Sequence, residues 1–265
     1  MNKVPNDWRK YVISPAILTK EIPVLNSGFI QLKDIMPYPE TIPGDLAIIN
    51  AARTSYDGSS KGIAADIKLL GYLFDNKHTT PFEMVEFKFL VNAPLVVWWQ
   101  WVRHRTMSYN AKSGRYTEFK EDDFYIPSEW RLQATDNKQA SDGVLGESDN
   151  IALMWDLEKH YRRSFELYEM AVVRGVAREQ ARLFLPGFSM YYTWVVKVDA
   201  HNLMHFLKLR MHDHAQEEIR LYASAIFDHF FVPALPFTAE KFKEKILAQD
   251  GYSKYRINGL NGDGF

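Results

Sequence analysis

The 265-residue chain contains no cysteine. That absence excludes disulfides and thiolate metal sites, and it removes the side chain best able to attack an electrophilic carbon at neutral pH. Net charge is nearly absent as well: 32 basic residues stand against 33 acidic ones, a formal charge of −1. The molecule as a whole has no field to gather a polyanion, so any basic site must be local. No apolar run approaches the roughly 18 residues of a membrane span, and the opening MNKVPNDWRK lacks the apolar segment of an export signal. The expectation is a cytoplasmic protein without a membrane partner. Internal repeats, low-complexity tracts and Pro/Gly/Ser-rich linkers are also missing. At 46% hydrophobic and 14% aromatic, the chain is expected to bury one substantial core as a single domain over residues 1–265.

What is present reads as mixed α and β. Residues 28–35 (GFIQLKDI) and 85–91 (VEFKFLV) alternate as half-buried strands do, and 190–198 (MYYTWVVKV) is a β-branched and aromatic run of strand type. Asn92 as N-cap and Pro94 in the first turn predict a helix over about 93–105. Apolar residues at three-to-four spacing predict a second over 151–174 and a third, unbroken, over 200–231. The fold class expected is α+β: a single mixed α/β domain with an antiparallel-type sheet and long helices. Its core would run from about 28 to 235, with an exposed loop at 133–150 and a loosely docked tail at 239–265.

One stretch departs from the charge balance. RHRTMSYNAKSGRY, residues 103–116, places Arg103, Arg105, Lys112 and Arg115 together with His104 and no acid. Cations at the end of an apolar helix, followed by a Ser/Asn/Gly turn, suit a pocket for an anionic ligand. The plain alternative is that Arg103 and Arg105 complement the negative end of their helix. Two other classes compete. Residues 103–115 combine basic and aromatic side chains as single-strand nucleic-acid-binding modules do, although net charge is near zero. His201, His205, His212 and His214 have spacings that reach one metal ion, but no carboxylate or thiol set completes the sphere, and a metal site is not expected.

Arg103-His104-Arg105, then seven residues, Ser113, and Arg115-Tyr116 resembles the signature of the flavin-dependent thymidylate synthases. His78-Thr79-Thr80-Pro81-Phe82-Glu83 resembles the family's H-x-T-P-F-E element, Ala181-Arg182 with Leu185-Pro186 its A-R-x-x-L-P element, and residues 203–220 its long C-terminal helix. The resemblance implies conversion of dUMP to dTMP. The methylene carbon comes from methylenetetrahydrofolate and the hydride from FAD that NADPH has reduced. It also implies a homotetramer with active sites shared between subunits, and no nucleic-acid partner. The missing cysteine agrees, because the unrelated classical enzymes activate uracil with a thiolate and this chain has none. An arginine must then stabilise charge on the ring.

Residue by residue, the resemblance implies that Arg210 is catalytic at the pyrimidine ring, with an Arg210 to Glu217 pair on a shared helix face as the rival explanation. It implies substrate contacts at Gln100, Arg103, Ala111, Lys112, Ser113, Gly114, Arg115, Arg182 and Arg210. For the flavin it implies Ser55, Thr80, Glu83, Arg103, His104, Arg105, Asn110, Asp199, His201, His205 and His214. The chain departs from the family at Ala111, where an acid is common, and at Asp199 and His201, where Asn and Arg are common. Histidine for arginine weakens an anion contact unless it is protonated. Trp98, Trp99 and Trp101 together exceed what one helix face buries, so part of that girdle is expected to meet another chain.

Overall fold

The computed structural model describes residues 4–55, 58–114, 119, 124–135 and 141–256. The strands are β1 (Glu21–Val24), β2 (Gly28–Met36), β3 (Glu86–Pro94), β4 (Ser108–Ala111), β5 (Arg131–Gln133), β6 (Ser141–Val144) and β7 (Tyr191–Asp199). The helices are α1 (Gly44–Thr54), α2 (Ile63–Asp75), α3 (Leu95–Trp101), α4 (Glu147–Val173), α5 (Arg178–Ala181), α6 (Ala200–Arg210), α7 (Glu217–Ile226), α8 (Val232–Ala234), α9 (Pro236–Phe242) and α10 (Ser253–Arg256). Five strands form one antiparallel sheet in the order β1-β2-β3-β7-β4, and β5 pairs with β6 separately. The expected antiparallel sheet with helices is therefore present.

Alternation decides which sheet face is buried. Phe87, Phe89 and Val91 on β3 sit opposite Val198, Val196 and Trp194 on β7, and all six are buried. On β2 a register shift between Leu32 and Asp34 keeps Ile30, Leu32 and Ile35 on that same buried side. Leu203, Phe206 and Leu207 of α6, Ile219, Tyr222 and Ile226 of α7, and Phe227, Phe230 and Phe231 join these strand residues in the main core. Gly28 is required by this packing: a Cβ there would overlap the Tyr222 hydroxyl, which donates to the Asn92 carbonyl at 2.7 Å. A second cluster packs Tyr161, Phe165 and Tyr168 of α4 against Ala181, Leu185 and Met190.

Four expectations need correction. The helix after β3 starts at Leu95, not 93: Asn92 is a β3 residue whose side chain bonds Ser27 and Thr193, and Pro94 is the N-cap. The run 200–231 is not one helix. It stops at Arg210, resumes at Glu217 and passes into a π-helical turn at Phe227–Phe231. The span 133–150 is not all loop, because β6 and the start of α4 lie within it; residues 136–140 lie outside the described residues. Residues 239–252 are docked rather than loose, with Ala239, Phe242, Leu247 and Tyr252 buried.

The docking has a local cause. Asp45 of α1 accepts from the backbone N–H of Phe237 and Thr238 and from the Thr238 hydroxyl, and so caps the start of α9. Further on, the Tyr252 hydroxyl donates to the Lys208 carbonyl at 2.7 Å, and the Asp213 N–H donates to the Gly251 carbonyl at 2.7 Å. These bonds satisfy backbone groups that the break after α6 leaves free. Residues 257–265 lie outside the described residues.

Candidate active site

The end of α6 meets the end of α3 at a set of polar side chains. Arg210, the last residue of α6, donates from Nε to His104 Nε2 at 3.0 Å. Its Nη2 donates to the Gln100 carbonyl at 3.1 Å, and Nη1 reaches the Gln100 side-chain oxygen at 3.4 Å. The outward N–H groups of both terminal nitrogens lie outside these bonds. Among the described residues no ion pair engages Arg210. All its partners are neutral acceptors, so its charge is held in place without being cancelled. The rival pairing with Glu217 is not formed: the helix has ended, and Glu217 bonds Arg131 at 2.7 Å instead.

His104 is 7% exposed, and its pKa is pushed down to about 4 by burial, by the charge of Arg210 and by His205. It is therefore neutral near pH 7, with its proton on Nδ1 and Nε2 free to accept. Helix α3 stops at Trp101, and the turn that follows buries His104 between exposed Arg103 and Arg105. The Tyr109 hydroxyl lies 3.0 and 2.9 Å from the carbonyls of Trp101 and His104 and ties the turn to β4.

His205 stands beside His104, with ring centroids 5.9 Å apart, on the exposed side of α6. With His201 one turn earlier it lines a cavity of about 240 Å³. Phe74, Phe82 and Met204 give this cavity apolar walls, and His78, Lys77 and Lys208 add polar ones. Thr80 and Glu83 belong to the one-turn helix Thr80–Met84 that carries Phe82. A flat aromatic ring system with an anionic tail fits that lining: apolar walls for the ring, imidazoles and ammonium groups for the charge.

A second group forms at the end of β4. The Lys112 N–H donates to the Thr193 carbonyl at 2.8 Å, which turns the chain into Ser113 and Gly114. A Cβ on Gly114 would lie 2.7 Å from the Phe119 ring and 3.6 Å from Arg182 Nη1, so the turn sits close against Arg182. Arg182 itself is exposed and donates to the Glu179 carbonyl at 3.2 Å. Arg115 lies outside the described residues.

The remaining expected positions are less gathered. Ser55 is the exposed C-cap of α1, and Asn110 is exposed on β4, with Ala111 half-buried beside it. Asp199 caps α6 through the Asn202 N–H at 2.8 Å and also bonds the Asn202 side chain at 2.7 Å. His214 lies in the break, with its N–H on His212 Nδ1 and the two rings 4.8 Å apart. His212 therefore faces His214, the reverse of what one continuous helix implies.

Sequence reasoning missed Gln216, whose side-chain oxygen accepts from Gln100 Nε2. The two residues are 116 positions apart, and no local spacing signals such a pair.

Comparison with known proteins gives a consistent result. The family model described as thymidylate synthase complementing protein matches residues 40–234. A flavin-dependent thymidylate synthase of Thermus thermophilus is 44% identical over 241 residues, 91% of this chain and 85% of that protein. One from Ehrlichia ruminantium (strain Gardel) is 38% identical over 244 residues, 91% of this chain and 79% of that protein. The solved UMP/dUMP methylase PolB from Streptomyces cacaoi bound with 5-Br dUMP superposes with a TM-score of 0.73 at 30% identity, covering 84% of this chain and 97% of that one.

Proposed function

From membership of the thymidylate synthase complementing protein family, to which this chain belongs, we propose how its residues divide the work of the reaction. The protein is a flavin-dependent thymidylate synthase, methylating dUMP to dTMP. In our reading the flavin is FAD, reduced by NADPH, and it supplies the hydride once bound. Methylenetetrahydrofolate supplies the carbon.

Arg210 meets the pyrimidine ring and stabilises negative charge that develops there, since the chain has no thiol to do so by addition. Gln100 and His104 hold its guanidinium at the correct tilt. Ser113, Gly114, Arg115 and Arg182 bind the nucleotide, with Lys112 and Arg103 adding charge for its phosphate. His78, His201 and His205, with Thr80 and Glu83 nearby, hold the flavin. A cavity of about 240 Å³ is smaller than the roughly 300–1,000 Å³ of most ligand sites. It houses one end of the cofactor, and a neighbouring subunit covers the rest. That is the support for a homotetramer with shared sites, and exposed Trp99 (56%) is available to such a contact.

The observation that carries this reading is an arginine held, among the described residues, by neutral acceptors alone, with His104 standing between it and the His205 that lines the cavity. The nucleic-acid alternative has no such support, because Trp101 is buried and Trp98 packs on Trp194, Tyr109 and Tyr192. We place the enzyme in the cytoplasm; among the described residues no helix is long and apolar enough to cross a membrane. The test is direct. The purified protein is expected to be yellow, to bleach with NADPH without air, and then to form dTMP only when dUMP and methylenetetrahydrofolate are both added. Colourless protein that forms no dTMP with added FAD would overturn the reading.

A further inference from the structure

The cavity beside His205 is lined by charge of one sign. Its titratable residues are Lys77, His78, His201, His205 and Lys208, with no acid among them. His201, His205 and Lys208 stand at i, i+4 and i+7 on α6, which is one stripe of a helix. Nearby acids are engaged with other lysines: Asp75 with Lys245 at 3.6 Å and Glu244 with Lys241 at 2.7 Å. Among the described residues no ion pair engages Lys77 or Lys208, and both are exposed, so their ammonium groups stand at the cavity rim. Lys77 is held there against its backbone preference. After the C-cap Asn76, the Lys77 N–H bonds the Phe74 carbonyl at 3.2 Å and the His78 N–H bonds the Leu73 carbonyl at 2.9 Å. That closure puts the residue after the cap in the left-handed region, where glycine is usual, and Lys77 has φ 57°. Strain of this kind clusters at ligand sites.

We propose that Lys77 and Lys208 form a subsite for a dicarboxylate, the glutamate end of the folate co-substrate. The proposal rests on the reading that methylenetetrahydrofolate supplies the carbon. That reaction gathers three anionic molecules. The nucleotide phosphate has Arg103, Lys112, Arg115 and Arg182, and the flavin has His78, His201 and His205. The two carboxylates of the folate are left without a cation, and Lys77 and Lys208 are cavity cations left without a ligand. Phe74 and Ile246 belong to the same lining and give an apolar contact to the aminobenzoyl ring that precedes the glutamate. An ammonium on a flexible stem suits a flexible tail, because it follows a carboxylate as a point charge rather than demanding one geometry.

The test titrates the FAD-loaded protein with folic acid and with pteroic acid, which lacks the glutamate, following flavin fluorescence. The natural chain should bind folic acid on the order of tenfold more tightly than pteroic acid, a gap that narrows as salt is added. In Lys77→Gly combined with Lys208→Met the gap should shrink to within about twofold, with the affinity for FAD unchanged and the KM for methylenetetrahydrofolate raised. Lys77→Gly alone should lose part of the gap yet unfold at an equal or higher temperature, since glycine accepts the left-handed backbone without strain. That opposition separates binding from folding, and Lys77→Gly carries the test if Lys208→Met does not fold. A gap that survives in the folded variants, or a loss of FAD affinity in place of the gap, would overturn the subsite. A natural chain that forms dTMP with methylenetetrahydrofolate but binds both probes equally overturns the subsite alone. One that binds neither probe and forms no dTMP overturns the underlying reading.

Discussion

Arg210 shows how much depends on what a charged side chain is bonded to. A carboxylate partner would cancel its charge; an imidazole and an amide leave that charge available to a ligand. Removing such a preorganised group typically costs on the order of a hundredfold or more. We therefore expect Arg210→Ala to fold, to be reduced by NADPH, and to lose about that factor in dTMP formation at saturating dUMP. Arg210→Lys should recover only part, since an ammonium lacks the planar fork. His104 carries a related expectation. Burial is the larger cause of its lowered pKa and Arg210 the second. Arg210→Met should accordingly raise that pKa from about 4 without restoring the ordinary value of 6.5, a change read by NMR titration of the ring. The sign for stability follows: the folded pKa is depressed, so the contribution of His104 is present above about 6.5 and lost as pH falls through about 4. The family pattern makes Gln100, Arg210 and the 103–115 stretch legible in sequence. The neutral tautomer of His104 and the Gln216 contact are not, because both arise from neighbours more than a hundred positions away.

Among the elements, β2, β3 and β7 are readable because one sheet face is buried and alternation records it. The break after α6 is hidden for the opposite reason. Met211 and Ala215 continue the apolar spacing of Leu203 and Leu207, so periodicity runs straight through a turn that only tertiary bonds create. The docking of α9 is equally silent, since its cap is supplied by Asp45, nearly two hundred residues earlier. Loss of a cap costs about 0.5–2 kcal/mol, and Asp45→Ala should reduce stability by that order or somewhat more, measured by urea unfolding. Burial raises the Asp45 pKa to about 6, against an ordinary value of 3.8. A raised folded pKa means stability that is full below about 3.8 and lost as pH rises through about 6. Asp45→Asn removes that dependence, so its deficit against the natural chain should be larger near pH 4 than near pH 7.

At the scale of the whole molecule, the polar residues lie in two groups, one at the end of α6 and one where β4 meets Arg182. If both serve one nucleotide across a subunit boundary, two defective chains can repair each other. Arg210→Ala and Arg182→Ala subunits, each poorly active alone, should regain dTMP formation when co-expressed as mixed oligomers. Mixed oligomers as inactive as the separate variants would mean that each chain completes its own site. The seat of residues 251–253 on the break beside Arg210 bears on how such a chain comes into being. Synthesis runs from the N-terminus, so Arg210 emerges well before Tyr252 does. The sheet and α6 are available to fold early, but the turn that ends in the arginine waits for the residues that clasp it. The corner that holds Arg210 is thus expected to be among the last parts of a nascent chain to close, and a chain cut short of residue 251 is expected to fold its sheet while that corner stays open.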